Sequence, residues 1–148
     1  MICCNQAFLS CPQAQISHHS DYSWWLDYQT HLKHFKGQLR TGCGLGRNIA
    51  YPADINIYEL HTVRGAATAA LFQDPNYVYG NNCGLQALAF AHHFKPQHIW
   101  LIGFDFKADQ QQSHGYDLQK PTPLETAGKF WPSFLKDFAR FERLRQTL

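Results

Sequence analysis

An α/β fold built on a mostly parallel sheet is what this sequence predicts, and three stretches predict it. Ile99-Trp100-Leu101-Ile102-Gly103-Phe104 is a continuous apolar run, the pattern of a central strand covered on both faces. An Ala- and Leu-rich helical segment, Leu85 to Phe94, precedes it and hands over through the short turn Lys95-Pro96-Gln97. Ile55 to Leu60 alternates apolar and polar residues, which is strand periodicity. With 148 residues the chain is one domain's worth, since a domain usually takes roughly 100–200 residues, and a single domain over 1–148 is expected.

The elements follow in order along the chain. Met1 to Cys4 reads as the tail of a buried strand that meets a loop at Asn5-Gln6, so the chain is expected to begin in mid-fold. Ser17 to Tyr28 has a polar opening, with His18 and His19 in a solvated turn, and then a helix carrying Trp24, Trp25 and Tyr28 on one face. Asp21 or Ser20 would cap that helix. Gly42, Gly44 and Gly46, with Arg40 and Arg47, mark an adaptable loop; they lack G-x-G-x-x-G spacing, so an anion clamp is the weaker reading. Gly80-Asn81-Asn82-Cys83-Gly84 is a loop whose Asn82 or Cys83 lies near the next helix's N-cap, and Pro96 stops that helix. His92 and His93 fall at its carboxyl end, where the helix dipole favours them structurally. Asp105 ends the apolar strand, a polar loop runs from Lys107 to Pro123, and Pro132 opens a last helix with Phe134, Leu135, Phe138, Phe141 and Leu144 inward.

Composition removes several functions. Hydrophobic residues at 45% against charged residues at 16% give enough material for a core and too little charge for a disordered chain. A net charge of +2 supplies no broad positive field, so nucleic acid is not an expected partner. No run reaches the ~18 apolar residues that span a bilayer, and Met1-Ile2-Cys3-Cys4 has no basic leader, so a cytoplasmic chain without a membrane partner is expected. Cys3, Cys4, Cys11, Cys43 and Cys83 form no C-x-x-C pair, which fits free thiols in a reducing compartment, and none has a base beside it in sequence to mark it as activated.

In an open α/β sheet ligands bind beyond the carboxyl ends of the strands. Asn5 falls there, as an amide able to read a base or ribose edge or as a plain turn residue. Asn82, Cys83 and Gly84 fall there too, at a helix start whose free N–H groups suit a phosphate, or as an ordinary cap. Asp105 with Ser113, His114 and Tyr116 forms the third group, in which the carboxylate could hold a ribose hydroxyl or cap a turn. Asp21 and Lys107 complete the candidate ligand-binding residues. His114 is the candidate acid/base residue, because it is a titratable imidazole on the loop expected over the crevice. No resident metal or other cofactor is expected; His18, His19 and Asp21 lack ligand spacing.

Two stretches also resemble a known group of proteins. Cys4-Asn5-Gln6-Ala7-Phe8, and Asn82-Cys83-Gly84 followed by a helix and His98-Ile99-Trp100-Leu101-Ile102-Gly103-Phe104-Asp105-Phe106, resemble uncharacterised tailed-phage proteins. More distantly the chain is similar to bacterial CMP-sialic-acid-dependent sialyltransferases and to 6-hydroxymethylpterin diphosphokinase-like proteins. The resemblance implies a Rossmann-like three-layer sandwich, here without the family's first strand and Gly-rich loop. It implies nucleotide contacts at Asn5, at Cys83 and Gly84 with Asn82 beside them, and at Ser113 with His114 or Tyr116 closing over phosphate. It also implies a setting in the cytoplasm of a phage-infected or lysogenic bacterium.

Three functional expectations result. The first is a phage-type protein that binds, and by doing so sequesters, a nucleotide or nucleotide derivative. The second is a sialyltransferase-like glycosyltransferase using a nucleotide-sugar donor, with His114 as base and Lys107 steadying the leaving phosphate. The third is a non-catalytic oligomeric scaffold in which Trp24, Trp25 and Trp131 make a homo-oligomer interface.

Overall fold

The structure is a computed structural model that describes residues 1–43, 49–63, 70–104, 106 and 124–146. It has two compact units, Met1–Gln97 and His98–Leu148.

The first unit is a parallel α/β sandwich. Strands β1 (Ile2–Cys4), β2 (Ile16–His19), β3 (Gln38–Thr41) and β4 (Ile57–Glu59) pair in that order, all parallel. Strand β5 (His61–Val63) follows β4 after the single residue Leu60 and pairs in parallel with β6 (Tyr77–Tyr79). The Leu60 N–H bonds to Thr41 O at 2.7 Å on the β3 side, whereas the next N–H, of His61, bonds to Asn76 O at 2.8 Å. Successive N–H groups of a strand point to opposite edges, so β6 extends the sheet beyond the β4–β5 line. Between the strands lie α1 (Ala7–Ser10), α2 (Tyr22–Leu32), α3 (Ala70–Gln73) and α4 (Cys83–His92).

The two-residue period of the strands assigns each side chain to a layer. Cys3 and Leu39 pack with Trp24, Trp25, Leu32 and Phe8 on the α2 side. Ile2, Ile16, Leu60 and Val78 pack with Phe90 of α4 on the other. A sheet covered by helices on both faces is the three-layer, Rossmann-like α/β arrangement expected.

Several elements differ from expectation. Ser17-His18-His19 is no solvated turn: it is part of β2, and all three side chains are buried. Trp24 and Trp25 are core residues of α2, so they are not available as an oligomer surface. Arg40 is a β3 residue with its guanidinium carbon 4.6 Å from the Tyr58 ring centroid and 4.7 Å from that of Phe90, so it belongs to a strand and not to the adaptable loop. The other residues of that loop, 44–48, lie outside the described residues.

In the second unit, Ile99–Phe104 forms no strand among the described residues, and Trp100 and Ile102 are 86% and 88% exposed. A short apolar run marks hydrophobicity without fixing geometry. Here Gly103 turns through φ +78°, and Phe104 joins Phe138 at 5.8 Å between ring centroids. Phe106 adds contacts to Phe134 and Phe138 at 6.4 and 5.3 Å. Helix α5 runs Leu124–Gln146, so Pro132 lies inside it instead of opening it, at the cost of one backbone hydrogen bond. Of its predicted inward residues Phe141 is buried and Phe134, Phe138 and Leu144 are half-buried, whereas Leu135 is exposed. No helix among the described residues is long and apolar enough to cross a membrane.

Candidate functional site at the carboxyl ends of the strands

Because the strands of the first unit are parallel, their carboxyl ends gather at one edge. Asn5 follows β1 with φ +49°, a left-handed conformation that asparagine tolerates better than most side chains, and its N–H bonds to His18 O at 3.0 Å. After β6 comes Gly80 with φ +123°, where a Cβ would lie 2.6 Å from Leu85 Cγ, so the chain can turn tightly against α4 only with glycine. Asn82 then caps α4: its Oδ1 accepts from Leu85 N at 2.9 Å, and its Nδ2 donates to Asn81 Oδ1 at 3.1 Å.

Cys83, the first residue of α4, meets the end of β1. The Cys4 thiol donates to Cys83 O at 3.7 Å. The Asn5 side chain lies against the same residue. The neighbouring Cys4, foremost, holds the Cys83 thiol below its ordinary pKa, against the opposing effect of burial. Cys4 is pushed well up, first by the Cys83 sulfur beside it and then by burial. Both residues remain half-buried.

Beside this pair lies a row of polar side chains, of which His18 is fully buried. Cys4, His18, Arg40 and Tyr58 are successive cross-strand neighbours on the α4 side of the sheet. His18 Nε2 is 2.9 Å from Gln86 Oε1, and Gln86 Nε2 donates to Gly80 O at 3.2 Å. With the amide NH₂ committed to Gly80, the His18 proton belongs on Nε2. Burial pushes His18 down to about 4, with the Arg40 charge adding to the effect and Gln86 opposing it. His19 points to the other face, stacked on Trp25 at 5.6 Å and tilted on Trp24 at 5.2 Å. Burial and then the neighbouring His18 push it down to about 3, and neither of its ring nitrogens has a hydrogen-bond partner among the described residues.

Of the sequence-derived candidates, Asn5, Asn82, Cys83 and Gly84 are brought together. Asp21 is exposed, and its Oδ1 is held at 2.9 Å by Ser23 N and by Ser23 Oγ, so its carboxylate caps α2. Asp105, Lys107, Ser113, His114 and Tyr116 lie outside the described residues. His93 has a structural contact, its Nε2 lying 3.3 Å from Tyr77 O. The contact between Cys4 and Cys83 joins residues 79 apart in sequence and left no signal in local spacing.

The first unit also has a cavity of about 330 Å³, but it lies elsewhere, between the carboxyl end of α2 and the amino ends of β3 and β4. Leu32, Phe35, Gly37, Leu39 and Ile55 line it, and the exposed Lys33–Asp54 ion pair at 3.0 Å lies on its rim. Its charged groups, Lys33 and Asp54, are already paired with one another, so the strand-end cluster is the better chemical candidate. Among the described residues no group of three or more His, Cys, Asp or Glu side chains could hold a metal ion. Comparisons with protein-family models, with curated proteins and with solved structures give no match.

Proposed function

We propose that the chain binds a nucleotide or nucleotide derivative at the carboxyl end of its parallel sheet. The observation that supports this reading is the meeting of Asn5, in its left-handed turn after β1, with the amino-terminal end of α4 at Asn82–Gly84. Such a junction offers an amide for a base or ribose edge beside a helix end that favours an anion. The resemblance noted for the Cys4–Phe8 and Asn82–Phe106 stretches points to the same residues. Binding without turnover is the simpler reading, and in a phage setting it would sequester a host nucleotide.

Native mass spectrometry of the protein after incubation with a mixed nucleotide extract, with identification of what it holds, tests this. An intact nucleotide is expected. Asn5→Ala should then weaken binding about tenfold, the worth of one hydrogen bond, while Asp21→Ala leaves affinity unchanged. Failure of the wild-type protein to hold any nucleotide, in any oligomeric state, would overturn the proposal. A nucleoside monophosphate left from a nucleotide sugar would replace binding alone with glycosyl transfer.

A further inference from the structure

Gln6 Oε1, Trp24 Nε1 and both ring nitrogens of His19 are buried, and none has a hydrogen-bond partner among the described residues. A chain of contacts links the three side chains at the carboxyl ends of β1 and β2, on the α2 side of the sheet. Asn5 N donates to His18 O, which sets Gln6 beside the end of β2. Gln6 Nε2 donates to Tyr28 Oη at 2.9 Å, the Tyr28 ring stacks on Trp24 at 5.0 Å between centroids, and Trp24 lies 5.2 Å from the His19 ring. His19 and Trp24 are 1% and 9% exposed, so bulk solvent does not serve their polar atoms. Buried polar groups in folded proteins are satisfied by the chain or by ordered water, because leaving them bare is unfavourable.

The chemistry of the set narrows the occupant. Trp24 Nε1–H can only donate, which excludes a cation, and Gln6 Oε1 can only accept. Burial keeps His19 neutral, and a neutral imidazole offers one accepting nitrogen. The occupant must therefore accept one hydrogen bond, donate two, and be small enough to be enclosed.

We infer that Gln6, His19 and Trp24 hold an internal water molecule. It accepts from Trp24 Nε1–H and donates to Gln6 Oε1 and to the unprotonated nitrogen of His19, about the three hydrogen bonds typical of a buried water. Because Gln6 directly follows Asn5, the water ties the turn after β1 to β2 and α2 behind it.

The test is solution NMR of the full-length protein labelled with ¹⁵N-tryptophan, without nucleotide. The Trp24 indole resonance, one of four, is assigned by its loss in Trp24→Phe. In the wild type it should show a rotating-frame cross peak to water opposite in sign to the diagonal, which dipolar contact gives and direct proton exchange does not. Gln6→Met and His19→Phe each remove an acceptor, and each should lose the peak. Ser17→Ala, Tyr28→Phe and Tyr51→Phe remove neighbouring hydroxyls whose own exchange with solvent would imitate it, and each should keep the peak. Circular dichroism spectra matching the wild type confirm that the variants are folded. The inference is overturned if the wild-type indole shows no such peak, if the peak survives in folded Gln6→Met or folded His19→Phe, or if it vanishes in a folded hydroxyl variant. Because no nucleotide is present, these outcomes leave the binding proposal to its own test.

Discussion

Mild acid should destabilise the first unit through His18 and His19. Burial holds these imidazoles at about 4 and about 3, against 6.5 for the free side chain. Between the free and the folded values the unfolded chain binds more protons than the folded one, so stability must fall as the pH drops through that window. The loss begins near 6.5 and levels off near 4 for His18 and near 3 for His19. Each histidine contributes a slope approaching 1.4 kcal/mol per pH unit, so going from about pH 7.5 to about pH 5 removes about 2 kcal/mol per histidine, or about 4 kcal/mol for the pair. That is a large part of the roughly 5–15 kcal/mol that stabilises a typical domain. Urea unfolding at constant ionic strength, followed by the fluorescence of buried Trp24 and Trp25, measures it. His19→Phe keeps an aromatic ring on Trp25 and removes one titrating group, so its slope should be about half that of the wild type. A wild-type free energy that is flat between about pH 7.5 and 5, or an unchanged slope in folded His19→Phe, would refute the reasoning.

Three other substitutions probe the same architecture. Gly80→Ala places a Cβ 2.6 Å from Leu85 Cγ at φ +123°, and should cost about 1–3 kcal/mol in urea unfolding; a cost below about 0.5 kcal/mol would mean that the turn relaxes freely. Asp21→Ala removes the α2 cap and should lower stability by about 1 kcal/mol without changing nucleotide affinity, as read by denaturation and by titration calorimetry. Gln86→Leu keeps the bulk but strands His18 Nε2 and Gly80 O, so a loss of about 2–4 kcal/mol is expected by the same unfolding assay.

The helices of the first unit were legible because their signals are local. Asp21 before Tyr22-Ser23-Trp24-Trp25, and Asn82 before Cys83-Gly84-Leu85, put a side-chain acceptor ahead of a helical stretch, and both act as caps. Strand β2 was hidden because its residues after Ile16 are Ser17, His18 and His19, polar side chains that hydropathy places in water. Their burial depends on Gln86 and on the Trp24–Trp25 aromatic pair, which are partners supplied by the tertiary fold. Ile99–Phe104 shows the converse, since an apolar run specifies burial only where other elements supply a surface. At the site, Asn5 and Asn82–Gly84 could be read from strand-end logic, while the Cys4–Cys83 contact could not, because no local pattern joins positions 79 residues apart.

The polar row on the α4 side links fold to site. Cys4, His18 and Arg40 are cross-strand neighbours on one face, and α4 meets them with Cys83, Gln86 and Phe90 respectively. Cys83, Gln86 and Phe90 are spaced by three and four residues, which is the stripe that one helix face presents. Burying an imidazole, and half-burying a thiol and a guanidinium, is unfavourable without matching contacts, so sliding α4 by one turn would break all three contacts at once. An apolar interface of the same area would tolerate such a slip far better. The row therefore fixes where α4 begins, and with it the position of Cys83 against Cys4 and Asn5. The polar residues under α4 thus hold the strand-end cluster in register.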